Sequence, residues 1–137
     1  LFYHDIVYNA LKSNNEEKSA DLAKLRMETI KVPSSIIKNC ELQILATKKH
    51  LLNSGSDTNY FLDADLSILG KDLKTYTDYS QNVRKEYAYY PSLIYNPGRK
   101  KVLKHFLEMN KIFKTDHFSK KYEIQAKANL SFEFNTL

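Results

Sequence analysis

The chain begins with an apolar and aromatic segment, LFYHDIVY, that contains two polar residues, His4 and Asp5. A buried carboxylate is destabilising unless a metal ion, a salt bridge or exposure to solvent compensates its charge, and all three are open for Asp5. A further acid, Asp65, lies in the apolar stretch FLDADLSILG. One imidazole and two carboxylates form a donor set that suits Mn, Fe, Mg, Ni or Zn and differs from a thiolate zinc site. These three residues predict a site for a divalent metal ion.

The periodicity of FLDADLSILG distinguishes its two acids. On a helix, at about 100° per residue, Leu62, Leu66 and Leu69 share one face. Asp65 falls within this apolar arc, whereas Asp63 points about 200° away from it. We therefore expect Asp65 to face a buried site, with an ion pair to a Lys or Arg as the alternative. Asp63 is expected to cap the helix or to meet solvent.

Helices are the elements expected to position these residues. The chain has only 3 Gly and 3 Pro among 137 residues, a composition that favours helices over turns, and no strand pattern persists. At this length one core is expected, so we predict an all-α fold with a single domain over residues 1–137. Within it, LFYHDIVY is expected to form a short buried helix, and NPG at 96–98 predicts a turn. The other predicted helical segments are SNNEEKSADLAKLRMETI, SSIIKNCELQILATKKHLL, NYFLDADLSILG, KDLKTYTDYSQNVRKEYAYY, PSLIYNPGRKKVLKHFLEM and HFSKKYEIQAKANLSFEF.

Cysteine usage and hydropathy restrict the setting of the protein. The single cysteine, Cys40, excludes an internal disulfide framework and indicates a reducing, cytoplasmic location. Cys40 lies in a helical pattern, where a small core residue is expected in preference to a nucleophile. No apolar run approaches the roughly 20 residues that span a bilayer, and no signal-peptide pattern is present. No membrane partner is therefore predicted.

The charge balance points towards anionic ligands. The net charge is +5 and the pI is about 9.1, which predicts attraction for phosphorylated molecules. Nucleic acid is only weakly indicated, since no compact Arg/Lys stripe with interleaved aromatic residues occurs. Arg84, Lys85 and Arg99 are candidates to contact phosphate, because a guanidinium group can bind two phosphate oxygens at once. Solvated surface charge is the alternative for all three.

A dense group of tyrosines, Tyr87, Tyr89, Tyr90 and Tyr95, follows Lys85. Packing in the core is one interpretation of this group. Stacking against the base of a nucleotide is the other.

Five segments together, HDIVY, NEEKSA, FLDADLSILG, VRKEYA and NPGRKKVL, resemble the HD superfamily of metal-dependent phosphohydrolases. The resemblance covers essentially the whole chain and is greatest to a subgroup of small predicted HD phosphohydrolases. It implies an all-helical fold and a metal held by a His, a His-Asp pair and a distal Asp, here His4, Asp5 and Asp65. The first His of the superfamily precedes the His-Asp pair on an earlier helix. We therefore expect one further helix to precede residue 1.

The same resemblance suggests further site residues. NEEKSA is similar to the His-Glu-x-x-Ser-Ala segment of the superfamily, with Asn15 where members with two metals have a His, so one divalent metal ion is expected. Glu16 keeps the acid and could hold the attacking water or orient a ligand; a helix-dipole role in the first turn is the alternative. His50 stands where a His often faces the site, and could assist proton transfer or contact phosphate or a second metal. A partly exposed His near a helix end is equally open.

These features predict a metal-dependent phosphohydrolase that cleaves a phosphate ester or anhydride, with a nucleotide as the natural substrate class. A non-catalytic HD-type domain that senses a nucleotide or binds a partner is the main alternative. A helical nucleic-acid-binding module is a further alternative, and a homodimer is open.

Overall fold

The computed structural model describes residues 3–9 and 12–137, and within these residues it contains helices and no strands. This confirms the predicted all-α class. None of the helices in the described ranges is long and apolar enough to span a membrane. The elements are α1 (Asn15–Thr29), α2 (Ser34–Ala46), α3 (Ser56–Leu66), a 3-10 helix (Ser67–Gly70), α4 (Leu73–Glu86), α5 (Ser92–Glu108) and α6 (Asp116–Thr136).

The chain divides into two compact units, Leu1–Asp65 and Leu66–Leu137. In the first unit, α1 packs against α2 around a small core formed by Ala20, Ala23 and Ile44. Cys40 packs against this core, as predicted for a small core residue, and burial raises the pKa of its thiol. A raised thiol pKa disfavours the thiolate form that a nucleophile requires.

The predicted helix at LFYHDIVY is wrong for the residues that the structure describes. Residues 3–7 form turns and bends. Both backbone groups of Val7 bond to a side chain instead of within a helix: its N–H donates to Ser19 Oγ at 3.1 Å, and its carbonyl accepts from the same hydroxyl at 3.3 Å. Ser19 is completely buried, so it fixes this segment against α1. Leu1 and Phe2 lie outside the described residues.

The helix predicted over residues 34–52 is also shorter than expected. The structure ends α2 at Ala46, and the backbone of His50 has a φ of 49°. A residue in this left-handed region cannot continue a right-handed helix. His50 therefore lies in a connection beyond α2.

The core of the second unit forms where α6 packs on the 3-10 helix and α5. Its buried members are Leu66, Leu69, Tyr76, Leu103, Ile112, Phe113, Ala126 and Leu130. The buried amide of Asn129 donates to the carbonyls of Leu69 and Lys71 at 2.9 and 2.8 Å, and so ties α6 to the end of the 3-10 helix. Gly70 permits this close approach, since a Cβ there would lie 2.7 Å from the backbone oxygen of Tyr122.

The turn predicted at NPG is wrong. Helix α5 runs without interruption from Ser92 to Glu108 and includes Pro97. Proline and glycine are the least favourable residues in a helix interior. Tyr95 and Leu103, the buried residues of α5, hold the helix together despite the local preference of Pro97 and Gly98.

Candidate metal centre

Asp65, in the last turn of α3, lies at the centre of a cluster of titratable side chains. Its Oδ1 is 2.8 Å from Nε2 of His4, and its Oδ2 is 2.8 Å from Nε2 of His50. Nε2 of His4 also lies 3.1 Å from Oδ2 of Asp5. The structure thus brings together the three residues predicted as metal ligands and His50, which was predicted to assist them.

The cluster is partly buried but reaches solvent on one side. The side chains of His4, His50 and Asp65 are 20%, 17% and 19% exposed, whereas that of Asp5 is 64% exposed. Water and small ions can therefore approach through Asp5. The inner three side chains are shielded enough for their electrostatic interactions to exceed those of surface pairs.

His50 reaches the cluster through an unusual backbone conformation. A φ of 49° is uncommon for a residue with a Cβ and costs free energy. The His50 N–H donates to the carbonyl of Ala46 at 3.1 Å, which closes one last turn after α2. Residues held in sparsely populated conformations cluster at functional sites, and here the conformation directs the imidazole to Asp65. The structure thus brings His50 to the cluster, and its role in proton transfer stays a prediction.

Two residues that the sequence did not single out contact His4 or anchor the segment that contains it. Ser19 fixes the backbone of Val7, three residues further along the chain. Phe61 packs edge-on against the His4 imidazole, with ring centroids 6.3 Å apart and an interplanar angle of 89°. Phe61 lies one helical turn before Asp65, so the same face of α3 holds the ring and contacts its nitrogen. A buried serine gives no pattern that distinguishes it from other small core residues.

The electrostatics of the cluster favour a cation. Desolvation raises the pKa of the Asp5 carboxyl even though its side chain is largely exposed; His4 and His50 lower this pKa, and the carboxylates of Asp65 and Glu16 raise it further. Glu16 therefore belongs to the charged surroundings of Asp5. Three carboxylates, those of Asp5, Asp65 and Glu16, thus surround two imidazoles, and such a donor set attracts a cation.

Asn15 has a structural role in the described region. Its side-chain carbonyl accepts from the N–H of Asn9 at 3.0 Å, and its amide donates to the carbonyls of Asn9 and Lys12 at 3.1 and 3.3 Å. These bonds fasten the segment before α1 to its first turn. The expectation of a single metal ion stays a prediction.

The expectation for Asp63 is wrong. Its side chain is completely buried, as is that of Leu62, so α3 is covered on more than one face. A separation of about 200° from the apolar arc therefore does not bring Asp63 to solvent. The acid that does contact the histidines is Asp65, as expected.

The three candidate phosphate ligands lie in the second unit, whereas the cluster lies in the first. Arg84 donates to the carbonyls of Tyr87 and Tyr90 at 2.9 and 3.0 Å. Arg99 forms a two-bond ion pair with Glu133, and Lys85 donates to Asn82 at 3.1 Å. Each cation thus has a local partner, and a phosphate-binding role for any of them stays a prediction.

The imidazole and carboxylate donors of the cluster fit a divalent ion. In this structure, however, these side chains are arranged as hydrogen-bonded pairs. Neighbouring ligand atoms around an octahedral ion with bonds of about 2.1 Å lie about 3 Å apart, close to the 2.8–3.1 Å separations here. However, among residues 3–9 and 12–137 no group of three or more His, Cys, Asp or Glu side chains is set to hold a metal ion. An ion held by His4 and Asp65 would have to replace the hydrogen bond between them.

Comparisons with known proteins add no relative to this description. No family model matches the chain, and neither a curated protein nor a solved structure matches it.

Proposed function

We propose that the protein is a metal-dependent phosphohydrolase of the HD type that hydrolyses a phosphate ester or anhydride. The observation that carries this proposal is the position of Asp65, whose two carboxylate oxygens each lie 2.8 Å from the Nε2 atom of a different histidine. The resemblance of the sequence to the HD superfamily rests on three of the same residues. A nucleotide is the proposed substrate class.

His4, Asp5 and Asp65 are the proposed ligands of one divalent ion, which is Mn, Ni, Fe, Mg or Zn. Mixed imidazole and carboxylate donors suit these ions, and the excess of carboxylates supports a positive ion. When bound, the ion supplies Lewis-acid chemistry that polarises a phosphoryl oxygen and makes water more acidic.

His50 and Glu16 are the proposed proton-transfer residues. Histidine is the side chain most often used for this task, and the contact of His50 with Asp65 orients its ring. The carboxylate of Asp65 thus positions both imidazoles at once. Glu16, in the first turn of α1, adds negative charge beside Asp5 and can accept a hydrogen bond from water.

A non-catalytic domain is the second candidate, and the hydrogen-bonded pairing within the cluster favours it. If His4, His50 and Asp65 only satisfy one another, they form a structural polar cluster. The protein would then bind a nucleotide or a partner protein without turnover.

Metal content and turnover distinguish these proposals. Mass spectrometry on the protein with its natural N-terminus, after incubation with Mn, Ni and Mg, is expected to give about one equivalent of metal. Asp65→Asn is expected to lose the metal, whereas Asp78→Asn, a change in an exposed ion pair with Lys74, is expected to keep it. Wild-type protein should then hydrolyse p-nitrophenyl phosphate or a nucleotide in a metal-dependent way.

Two results would contradict the phosphohydrolase proposal. One is the absence of metal in the wild-type protein after this incubation. The other is a metal content that Asp65→Asn leaves unchanged.

A further inference from the structure

Helices α4 and α5 of the second unit border a cavity of about 430 Å³. This volume falls in the usual range for sites that bind small molecules, and such sites are mainly apolar and aromatic with a few polar groups. The cavity matches that description: its lining includes Tyr87, Tyr90, Tyr95, Gly98 and Arg99.

The tyrosine rings form connected walls that the chain holds in place. The ring of Tyr87 lies 6.3 Å from that of Tyr90 and 5.9 Å from that of Tyr95, measured between centroids. The guanidinium of Arg84 lies 4.6 Å from the centroid of Tyr95, and it donates to the carbonyls of Tyr87 and Tyr90. Arg84 therefore fixes both the turn after α4 and one aromatic wall, so the cavity is preorganised.

Gly98 has no explanation in the packing of the described residues. It lies inside α5, where glycine is unfavourable, yet its φ is not positive. A Cβ at this position would meet nothing within 4 Å. Glycine also permits close approach of a ligand to the backbone, and Gly98 lines the cavity.

Two polar groups of residues that line the cavity have unused hydrogen-bonding capacity. The hydroxyl of Tyr95 is buried without a hydrogen-bond partner in the part of the chain that is described. The ion pair of Arg99 with Glu133 engages Nε and Nη2, which leaves Nη1 outside the pair. Buried polar groups are normally satisfied, and both of these groups can donate to an acceptor.

We propose that this cavity binds the base of a nucleoside. A flat heteroaromatic ring suits walls of tyrosine and the bare backbone at Gly98, because bases stack on aromatic side chains. Among the lining residues, the Arg99 guanidinium can donate to a ring nitrogen or carbonyl of a base. Glu133 neutralises the charge of Arg99, so the site requires no phosphate on its ligand. The proposal concerns the second unit alone, needs no metal and does not rest on the proposed hydrolase activity.

Binding of adenosine, guanosine, cytidine and uridine to the full chain tests this proposal, by saturation-transfer NMR and titration calorimetry in buffer with a chelator. At least one nucleoside is expected to bind. Gly98→Leu adds a bulky side chain to the lining of the cavity while improving helix propensity, and it is expected to raise the Kd about tenfold or more. Lys101→Leu adds the same side chain at an exposed position of the same helix and is expected to leave the Kd unchanged.

Tyr90→Leu provides a second variant, since it removes an aromatic wall from a half-buried position. It is expected to weaken binding several-fold while circular dichroism shows a folded protein. The proposal is overturned if none of the four nucleosides binds wild-type protein. It is equally overturned if Gly98→Leu and Tyr90→Leu bind as tightly as wild type.

Discussion

The imidazole of His50 and the carboxylate of Asp65 meet at 2.8 Å across 15 positions of sequence. The contact depends on a left-handed backbone at His50. For a residue with a Cβ this conformation costs about 1–2 kcal/mol of free energy. His50 is therefore held by its side-chain contact against an unfavourable backbone.

Substitutions at His50 separate these two effects. His50→Ala and His50→Gly both lose the contact with Asp65, so both are expected to lose most of the proposed hydrolase activity. Only glycine relieves the backbone, so His50→Gly is expected to be about 1 kcal/mol more stable than His50→Ala. Urea denaturation measures this difference. Equal stability of the two variants would show that the left-handed conformation carries no cost here.

Ser19→Ala tests the anchor of the His4 segment. The substitution removes two hydrogen bonds to the backbone of Val7 from a completely buried position, so a loss of about 1–3 kcal/mol in the free energy of unfolding is expected. Metal content is expected to fall with it, because His4 loses its position. Ser80→Ala, which removes one local bond within α4, serves as the control and should cost less than half as much. Similar losses in both variants would contradict the special role of Ser19.

Substitutions at Glu133 test the buried ion pair of the second unit. Its carboxylate accepts two bonds from Arg99 and one from the hydroxyl of Tyr76. Glu133→Ala leaves Arg99 unpaired in a nearly buried position, and a loss of about 3–5 kcal/mol is expected. Replacing both partners, as Arg99→Met with Glu133→Leu, is expected to recover most of this loss. Chemical denaturation of the single and double variants checks the prediction, and an equally unstable double variant would refute it.

Asp72 gives a prediction for pH dependence. Its carboxylate caps α4 by accepting from the N–H and hydroxyl of Thr75 at 3.0 and 2.7 Å, and these bonds lower its pKa. Because the pKa is lower in the folded state, the stabilising effect is present above the ordinary carboxyl pKa and is lost as the pH falls through the folded-state value. Asparagine also caps helices but does not titrate in this range.

The comparison of wild type with Asp72→Asn isolates this effect, because the other acids titrate in both proteins. The stability difference is expected to shift in favour of the variant below about pH 4. Urea midpoints measured through the acid range provide the readout. A stability difference between the two proteins that does not change with pH would contradict the lowered pKa of Asp72.

Two glycines provide a matched pair of alanine substitutions. At Gly70 a Cβ would lie 2.5 Å from the Cβ of Tyr122, so Gly70→Ala is expected to destabilise the protein by about 2 kcal/mol through overpacking. At Gly98 the space is open, and Gly98→Ala is expected to stabilise α5 by about 0.5–1 kcal/mol. Thermal melts of both variants test the pair. The same sign for both changes would contradict the described packing.

The helical periodicity and short motifs of the sequence were sufficient to predict the fold class and the placement of Asp65. Its position in the apolar arc of FLDADLSILG predicted a contact with a buried site, and the His-Asp dipeptide supplied one partner. His50 was anticipated only as one of two alternatives, because the left-handed turn that directs it is set by the end of α2 rather than by a residue pattern.

Other features depended on tertiary contacts that the sequence does not display. The backbone of Val7 bonds to Ser19, so the predicted helix around His4 does not form in the described residues. Asp63 is buried because α3 is covered on more than one face. Pro97 lies inside α5 because packing along the helix outweighs its local cost.

The proline inside α5 also affects how this helix opens. Pro97 has no N–H, so it cannot donate to the carbonyl of Leu93, one turn earlier, and the backbone ladder is weakest there. Leu93 is 90% exposed, so little packing compensates on that side. Residues 92–94 are thus able to fray first, because the buried Tyr95 and the bond from the Asn96 amide to the carbonyl of Leu137 hold the helix beyond them. Native-state amide exchange would then be fastest in the first turn of α5.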